Sequence, residues 1–476
     1  MPALWPAMIF DDTTWTQGAT PIGIGSDPAL KTRIDPALLA VTSAGTPQVY
    51  LRHTFDLGAD ADLIQEVSLQ LAAHGPYDAY LNGQKVLSAS TGTQSSQIAV
   101  PGGALHPGSN VLGLEVQPIV DSDFALSPEL DGIRGTTAAE PVSQVMKGPY
   151  VVAPTPTSLT VVWETATAIT SQALVNGQSY DGGSGTHHQV VVSGLGPSQQ
   201  YNYHVETDGQ SSEEAVSSTA ALPGGRVRFV VYGDSRTNGD THRRIAEAAA
   251  AESPDFVVTT GDLVASSSDA EWQTFFDIEY RLLQKVPMYP TLGDHEDSSS
   301  DGAARLATLF PMPNSFAPNV YSADYGDVHV AVLNSMGNLS DQTSWLESDL
   351  AAADARGMLH EFIFMHWGPY SSGTVVSHGS NPDAHDLIVP IARRHRVDAF
   401  MSGHDHFYER GASGDLRYFV SGGAGAPLYS NNPIPEARRI ANSHHYIVVD
   451  VQGATVTTTA KDPNGSVLDQ TSWTRP

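Results

Sequence analysis

The sequence of 476 residues contains no cysteine. Disulfide bonds and thiolate metal sites are therefore excluded, and any metal ion must be held by histidine, carboxylate or carbonyl groups. No stretch approaches the roughly 18 consecutive apolar residues of a membrane span, so no span is expected. Basic residues are also scarce, because 24 lysines and arginines face 52 aspartates and glutamates, a formal charge of −28. Such a surface repels nucleic-acid backbones, and we expect no binding of a nucleic-acid polymer.

The chain is too long for one ordinary core, which predicts several domains. Up to about residue 138, short alternating segments bounded by Gly, Pro, Asn and Asp indicate β-strands, and Asn82-Gly83 predicts a hairpin turn. The segments TWTQGATPIGIG, YLNGQKV and LHPGSNVLGLEV resemble the galactose-binding-like domains attached to many extracellular enzymes. We assign residues 1–138 to such a β jelly roll, with a structural role favoured and a glycan contact left open.

Residues 139–224 form a second β-rich region, with segments such as SLTVVWETA, HHQVVVSGL and YNYHVETDG. Some seven short strands over about 80 residues are typical of an immunoglobulin or fibronectin type III sandwich. The region contains no catalytic triad, ligand cluster or phosphate loop, so we expect a spacer or shielding role.

Residues 225–476 show a different pattern, in which apolar strand-like runs alternate with helical stretches. RVRFVVYGD precedes a helix near THRRIAEAAAAE, and DFVVTTGD precedes a helix near DAEWQTFFDIEYRLLQ. Continuous apolar runs indicate strands buried on both faces. This is the pattern of an α/β domain, in which catalytic residues gather beyond the carboxyl ends of the strands.

Potential metal ligands follow five of these strands. They are Asp234 in YGDSR, Asp262 in TGDLV, Asp294 and His295 in LGDHE, His366 in FMHWG, and His404 with His406 in SGHDH. A single Gly-Asp after a strand is usually a turn or a helix cap. Five repetitions in one domain, three of them supplying histidine, indicate a metal site instead. If the last segment is extended, its two histidines point to one side and Asp405 points away.

These ligands exceed the needs of one catalytic ion. Two ions roughly 3.5 Å apart that share a carboxylate would use them all, bind two oxygens of a phosphoryl group and generate a hydroxide for in-line attack. They would also supply the positive charge that this acidic protein otherwise lacks. Hydrolysis of a phosphate ester is therefore the leading chemistry.

The order of these motifs, continued by GHDHFYER and FVSGGAGAPLY, resembles the calcineurin-like metallophosphoesterases, and specifically their purple acid phosphatase branch, over residues 226–476. The resemblance implies a four-layer α/β/β/α domain that binds two divalent ions, with Mn, Zn or Fe expected. It implies that His295 stabilises the phosphate or protonates the leaving oxygen, and that His378 is either a second substrate-facing histidine or a surface residue. It also implies a ligand for each position: Asp234 and His406 for the first ion, Asp262 as the bridge, and Asp294, His366 and His404 for the second.

Three positions depart from that branch. Ala265 stands where the branch has the tyrosine that gives the purple colour, so we expect a colourless protein with a divalent pair. Asp294 stands in place of the usual asparagine, and its harder oxygen ligand favours Mn or another hard ion. Arg236 replaces a glycine or histidine, which leaves the first ion a thin set of ligands. Its side chain is expected to pair with Asp294, to bind a substrate phosphate or to lie on the surface.

We therefore predict a multidomain hydrolase that cleaves small phosphate monoesters by attack of a metal-bound hydroxide. One alternative keeps the site but changes the substrate to a phosphodiester or a nucleotide. Another is a carbohydrate-binding protein with a degenerate phosphoesterase domain. The segment MPALWPAMIF lacks the features of a secretory signal, so either the protein is cytoplasmic or a signal has been removed. The resemblance of the β domains to those of extracellular enzymes favours a secreted or periplasmic protein. The oligomeric state is left open.

Overall fold

The computed structural model describes residues 145–475, apart from 313–314 and 376–377. Before residue 145 it describes a set of strands, with side chains at 77–88, 105 and 110–115. The chain divides into two compact units, Met1–Val142 and Ser143–Pro476. Among the residues described, no helix combines the length and the apolar character needed to cross a membrane.

The first unit is built from strands, as the sequence predicted. The strands are β1 Ile22–Ile24, β2 Thr32–Arg33, β3 Ala40–Val41, β4 Pro47–Leu57, β5 Ile64–Ala73, β6 Tyr77–Leu81, β7 Gln84–Ala89, β8 Gly92–Ala99, β9 Gly108–Val116, β10 Phe124–Leu126 and β11 Glu129–Arg134. They form sheets with the strand orders β10-β1-β2, β11-β5-β8 and β3-β4-β9-β6-β7. The predicted Asn82-Gly83 turn is confirmed, because both residues have positive φ values, 48° and 88°, and join two antiparallel strands.

The second unit begins with a further antiparallel sheet. Its strands are β12 Val145–Thr155, β13 Ser158–Val175, β14 Gln178–Ser193, β15 Gln200–Thr207, β16 Gln210–Ser211 and β17 Ala215–Ser218. The described residues thus form six strands here, whereas the sequence suggested about seven short ones. The difference arises because β13 is long: its first half pairs with β12 and its second half with β15.

The remainder of this unit is an α/β domain. Its helices are α1 Gly239–Ala251, α2 Asp269–Leu283, α3 Asp294–Asp297, α4 Gly302–Leu309, α5 Thr343–Arg356 and α6 Val389–Arg394, with a 3-10 helix at Leu339–Gln342 and a π-helix at Ala384–Ile388. Its strands are β18 Val227–Tyr232, β19 Phe256–Thr259, β20 Met288–Tyr289, β21 Tyr321–Tyr325, β22 Val328–Val332, β23 His360–Phe364, β24 Ala399–Ser402, β25 Tyr408–Ser413, β26 Leu416–Ser421, β27 Ala437–Ala441, β28 Tyr446–Gln452, β29 Thr455–Lys461 and β30 Val467–Thr474. Both predicted helices are present, and each begins at a side-chain cap, Asn238 for α1 and Ser268 for α2.

Two sheets organise this domain. The first has the order β20-β19-β18-β28-β29-β30, and the second has the order β21-β22-β23-β24-β26-β25-β27. Strands β18, β19 and β20 are parallel, as are β22, β23 and β24. The carboxyl ends of the strands in each parallel set therefore lie on the same edge of their sheet.

Three apolar cores hold the layers together. One lies between the first sheet and helices α1 and α2, and contains Val230, Val257 and Trp272. A second joins the inner faces of the two sheets, where Phe229 stacks on Phe256 with ring centroids 4.9 Å apart. A third packs the outer face of the second sheet against α5 and the segment that includes α6. Burial on both faces explains the continuous apolar runs in the sequence.

The β12–β17 sheet packs directly on the α/β domain. The buried Tyr150 hydroxyl donates to the Leu309 carbonyl at the end of α4. Nearby, the buried Glu164 carboxylate accepts two hydrogen bonds from Arg305 of α4 and forms an ion pair with Lys147 at 2.9 Å. Burial opposes ionisation of Glu164, but the neighbouring His187, Arg305 and Lys147 hold its pKa well below the usual range.

Replacement of Glu164 by glutamine should lower the free energy of unfolding by about 3 kcal/mol, because it leaves two cations with one neutral partner. Because the pKa of Glu164 is depressed in the folded protein, its contribution to the free energy of unfolding is present above about pH 4.5 and is lost as the pH falls. Chemical denaturation at pH 7 and pH 3.5 measures both effects. Asp269→Asn is the matched control, since Asp269 also pairs with Arg305 but its side chain is 86% exposed. Equal effects of the two substitutions would contradict the assignment.

His329 is buried at the β22 strand and lies between two aspartates. Its Nδ1 is 2.6 Å from Asp324 and its Nε2 is 2.9 Å from Asp349. Burial lowers the pKa of His329, but the hydrogen bonds to both aspartates outweigh it and raise the pKa to about 9. The imidazole is therefore charged at neutral pH and forms part of the framework of the second sheet.

This ion pair should make stability fall in alkaline solution. A raised histidine pKa stabilises the fold fully below about pH 6.5, and the contribution is lost as the pH rises through about 9. The difference in unfolding free energy between wild type and His329→Gln should shrink by about 3 kcal/mol between pH 6 and pH 10. His385→Gln, which removes an exposed histidine paired with Asp386, should show no such trend. A difference that is independent of pH would rule out a charged His329.

Candidate metal centre

Side chains that follow strands of both sheets converge in one cluster. All six predicted metal ligands belong to it, and they form two donor sets. The first set comprises Asp234 after β18, Asp262 after β19 and His406 after β24; the second comprises Asp294 at the start of α3, His366 after β23 and His404 after β24. Within each set the candidate ligand atoms lie within 4.8 Å of one another.

The first donor set is almost completely buried. The Nδ1 of His406 is 2.7 Å from the Pro427 carbonyl, which can only accept, so Nδ1 carries the proton. The Nε2 lone pair of His406 therefore faces Asp234, whose Oδ1 is 3.4 Å away. Burial opposes ionisation of Asp234, but the neighbouring positive charges, Arg236 among them, lower its pKa.

In the second donor set, a backbone carbonyl again fixes which ring nitrogen of a histidine faces the carboxylate. The Nδ1 of His366 donates to the Thr260 carbonyl at 2.6 Å, which turns the Nε2 lone pair toward Asp294 at 2.9 Å. The Nδ1 of His404 is 3.0 Å from the same Asp294 oxygen. Burial opposes ionisation of Asp294, but both histidines hold its pKa well below the usual range. Asp262 links the two sets, since its Oδ1 is 3.4 Å from the His366 Nε2.

The backbone is strained where the ligands are attached. Asp234, Asp262 and His404 have φ values of 56°, 54° and 69°, which non-glycine residues rarely adopt. Gly293 is equally constrained, because a Cβ there would lie 2.2 Å from the Asp262 Oδ1. At Gly403 a Cβ would lie 2.4 Å from the Asp234 Oδ2. These glycines allow separate loops to approach closely enough to share a cation.

The SGHDH segment differs from the extended strand that the sequence suggested. The left-handed φ of His404 turns the chain, so His404 joins the second donor set while His406 joins the first. Asp405 does point away from the ligands, as predicted. It accepts hydrogen bonds from the Ser371 hydroxyl, the Gly379 N–H and the His378 Nδ1. Asp405 therefore anchors the segment that carries His378.

The predicted substrate-facing histidines lie beside the donor sets. His295 is one-third exposed, and its Nδ1 donates to the Ala265 carbonyl at 2.8 Å, leaving Nε2 3.9 Å from Asp262. The His378 ring stacks on His404 with centroids 4.1 Å apart and is only slightly exposed. The structure thus brings both histidines to the cluster and does not leave His378 on the surface.

Arg236 also belongs to the cluster. Its Nε donates to the Asp262 Oδ2 at 3.0 Å, so its partner is Asp262 and the suggested pairing with Asp294 is wrong. Its Nη2 is 3.4 Å from the His406 Nε2. The reason is local, because the Arg236 N–H donates to the Asp262 carbonyl and holds the two loops side by side.

Two contributors to the site were missed by the sequence analysis. Glu296 is buried, and its carboxylate accepts N–H groups from Asp262, Val264 and Gly293 at 2.9–3.0 Å. Burial and the nearby Asp262 raise its pKa to about 8. Tyr429 stacks on His406 with centroids 3.9 Å apart. The segments LGDHE and GAPLY contain these residues, but neither residue follows directly on a strand.

The donor chemistry fits divalent cations. Two imidazole lone pairs, fixed by Nδ1–H groups that donate to carbonyl oxygens, face buried carboxylates in both sets. Such groups repel one another unless a proton or a cation lies between them. Oxygen and imidazole donors without sulfur are suited to Mn, Zn or Fe(II).

Comparison with known proteins agrees with this geometry. Residues 227–408 match the family model of the calcineurin-like phosphoesterases. The chain contains a calcineurin-like phosphoesterase domain. Purple acid phosphatase 22 of Arabidopsis thaliana is 28% identical over 243 residues, 48% of this chain and 54% of the relative. Tartrate-resistant acid phosphatase type 5 of Homo sapiens is 24% identical over 223 residues, 38% of this chain and 67% of the relative.

Solved structures share the fold of this chain. Purple acid phosphatase PPD1 from yellow lupin superposes with a TM-score of 0.63 at 16% identity, covering 92% of this chain and 94% of the other. PhoD gives a TM-score of 0.55 at 13% identity, covering 71% of this chain and 90% of the other. The predicted resemblance to the purple acid phosphatase branch is confirmed. The chain spans about half the length of the first curated relatives.

The close approach at Gly293 predicts that Gly293→Ala abolishes metal binding. The added Cβ would meet the Asp262 backbone N at 2.3 Å as well as its carboxylate, so Asp262 or α3 must move. Metal retained after gel filtration, measured by mass spectrometry, should fall at least about tenfold. Gly225→Ala is the control, because a Cβ there meets no atom within 4 Å. Full metal retention in Gly293→Ala would show that this contact does not position the ligands.

Proposed function

We propose that this chain is a metal-dependent phosphatase that hydrolyses small phosphate monoesters. The observation that carries the proposal is the position of Asp262 between two donor sets. It contributes an oxygen to the set of Asp234 and His406, and its Oδ1 lies 3.4 Å from the Nε2 of His366 in the second set. A carboxylate shared by two cation positions is the arrangement that a phosphoryl-binding pair of ions requires.

The ligands of each ion follow from the donor sets. Asp234, Asp262 and His406 would hold the first ion, and Asp262, Asp294, His366 and His404 would hold the second. When bound, two divalent ions offset the charge of a phosphoryl group and lower the pKa of water. Ala265 supplies only its backbone carbonyl at this site, so no phenolate is expected among the ligands and no purple colour.

His295 is assigned the proton transfer to the leaving oxygen. Its Nδ1 proton is held by the Ala265 carbonyl, so Nε2 is the atom that gains and loses a proton. This nitrogen is partly exposed next to Asp262, where a substrate can reach it. Protonated Nε2 donates to the ester oxygen as its bond to phosphorus breaks, which avoids release of a free alkoxide.

Arg236 and His378 are assigned to the substrate phosphate. Arg236 lies beside Asp262, and His378 lies against the ring of His404. Both side chains carry N–H donors suited to phosphate oxygens. A monoester carries one more negative charge than a diester and gains more from these groups, which favours the monoester over the phosphodiester alternative.

The domains are assigned from their strand patterns and from the resemblance of their sequence motifs. We infer a galactose-binding-like jelly roll for residues 1–138, a fibronectin type III-like sandwich for 139–224 and a four-layer phosphoesterase domain for 225–476. The three apolar cores on the faces of two sheets support the last of these. A secreted or periplasmic location rests on the resemblance of the β domains to those of extracellular enzymes.

Hydrolysis of a chromogenic phosphomonoester and its diester analogue, with the protein supplied with Mn, Zn or Fe(II), tests the proposal. We expect kcat/KM to be greater for the monoester. Asp262→Asn should reduce it by about a thousandfold or more because both donor sets lose a ligand. His295→Ala should lower kcat by about a hundredfold while metal content stays unchanged. Asp297→Asn, an exposed residue of α3, is the matched control.

Three outcomes would be informative. A preference for the diester would replace the monoester assignment with the alternative substrate class. Loss of metal in His295→Ala would make His295 a ligand instead of a proton donor. No turnover of either ester by metal-loaded wild type would reject the phosphatase and turn attention to glycan binding by residues 1–138.

A further inference from the structure

Arg236 forms the least expected contact in the site. Its side chain is only 13% exposed, and Nε donates to the Asp262 Oδ2 at 3.0 Å. The Nη1 group lies 3.3 Å from the Thr237 hydroxyl. A guanidinium is always protonated in proteins, so a fixed positive charge lies next to the carboxylate that the two donor sets share.

The other end of Arg236 faces the first donor set. Nη2 is 3.4 Å from the His406 Nε2, the nitrogen whose lone pair is available because Nδ1–H is bound to the Pro427 carbonyl. Arg236 therefore contacts two of the three ligands of the first set, Asp262 and His406. A cation bound there would compete for the same lone pairs and would repel the guanidinium a few ångströms away.

The position of Arg236 is fixed by its backbone. Its N–H donates to the Asp262 carbonyl at 3.3 Å, and the Asp234 N–H donates to the Gly261 carbonyl at 2.8 Å. The Tyr429 ring stacks on His406, the histidine whose Nε2 lies 3.4 Å from the Arg236 Nη2. The guanidinium is therefore held in place by the same loops that carry Asp234 and Asp262.

The second donor set differs. Its carboxylate, Asp294, is paired with His366 and His404 at 2.9 and 3.0 Å. Those two ring nitrogens are themselves only 3.2 Å apart. One carboxylate oxygen and two ring nitrogens thus converge where the positive charge must come from a proton or a metal ion. In the first set, by contrast, Arg236 already provides it.

We propose that the guanidinium of Arg236 acts as a fixed cation in the first donor set, so that the two donor sets differ in their affinity for a divalent ion. A divalent ion fills the second set first, and an ion enters the first set only when the Arg236 side chain leaves Asp262 and His406. The proposal rests on the proposed function for the identity of the site. It goes beyond that function in assigning the order of metal binding to one residue of this chain.

Metal binding without substrate tests this inference. Protein stripped with a chelator is dialysed against graded concentrations of Mn²⁺, and bound Mn is counted by mass spectrometry. In wild type the second ion should bind at least about tenfold more weakly than the first. In Arg236→Ala the second ion should tighten at least about tenfold, the order expected when one like charge is removed from a bound cation, while the first constant is unchanged. Electron paramagnetic resonance at one Mn per chain should show isolated ions in wild type.

Two further variants complete the design. Arg236→Gln removes the charge but retains hydrogen-bond donors, and should also tighten the second ion; it provides the test if Arg236→Ala does not fold. Arg244→Ala removes an exposed arginine of α1 and should change neither constant. Equal constants in wild type, or a second constant unchanged by both Arg236 substitutions, would overturn the inference. If the proposed phosphatase activity is wrong, the protein would bind two ions but hydrolyse neither ester, and this result differs from both outcomes above.

Discussion

Repulsion between clustered carboxylates is the constraint on which this structure depends. Asp234, Asp262 and Glu296 are buried, and the partly exposed Asp294 lies beside them where strands of two sheets end. The guanidinium of Arg236 donates to Asp262, and three backbone N–H groups donate to Glu296. Burial and the nearby Asp262 still raise the pKa of Glu296 to about 8. Under the proposed function, divalent ions would offset the remaining negative charge.

The strands and helices around the cluster position its side chains. Strands β18 and β19 are parallel and in register, so Asp234 and Asp262 emerge side by side. The β12–β17 sheet is fastened to α4 through Glu164 and Arg305, and α4 follows closely on α3, which begins with Asp294. The Glu164–Arg305 ion pair thus stabilises the helical segment that begins with Asp294, a candidate metal ligand.

Much of the α/β domain could be predicted from the sequence, because strands that are buried on both faces appear as continuous apolar runs. The apolar runs predicted β18, β19, β23 and β24, and the polar residue after each run predicted the ligands. The partner of Arg236 could not be predicted, since a guanidinium on a flexible chain reaches several carboxylates and only the loop geometry selects Asp262. Glu296 was missed for a related reason. Glu296 acts by accepting hydrogen bonds from backbone N–H groups. Every residue except proline has such a group, so the sequence does not reveal which residues donate.

The anchoring of His378 by Asp405 has a consequence for how substrate preference can diverge. Asp405 lies between His404 and His406, and the Ser372 N–H is held by the buried Glu409 three residues after His406. The segment that carries His378 is therefore tied to the same turn as two candidate metal ligands. Its exposed residues can be substituted without altering those ligands, so under the proposed function new substrate contacts would arise around an unchanged site.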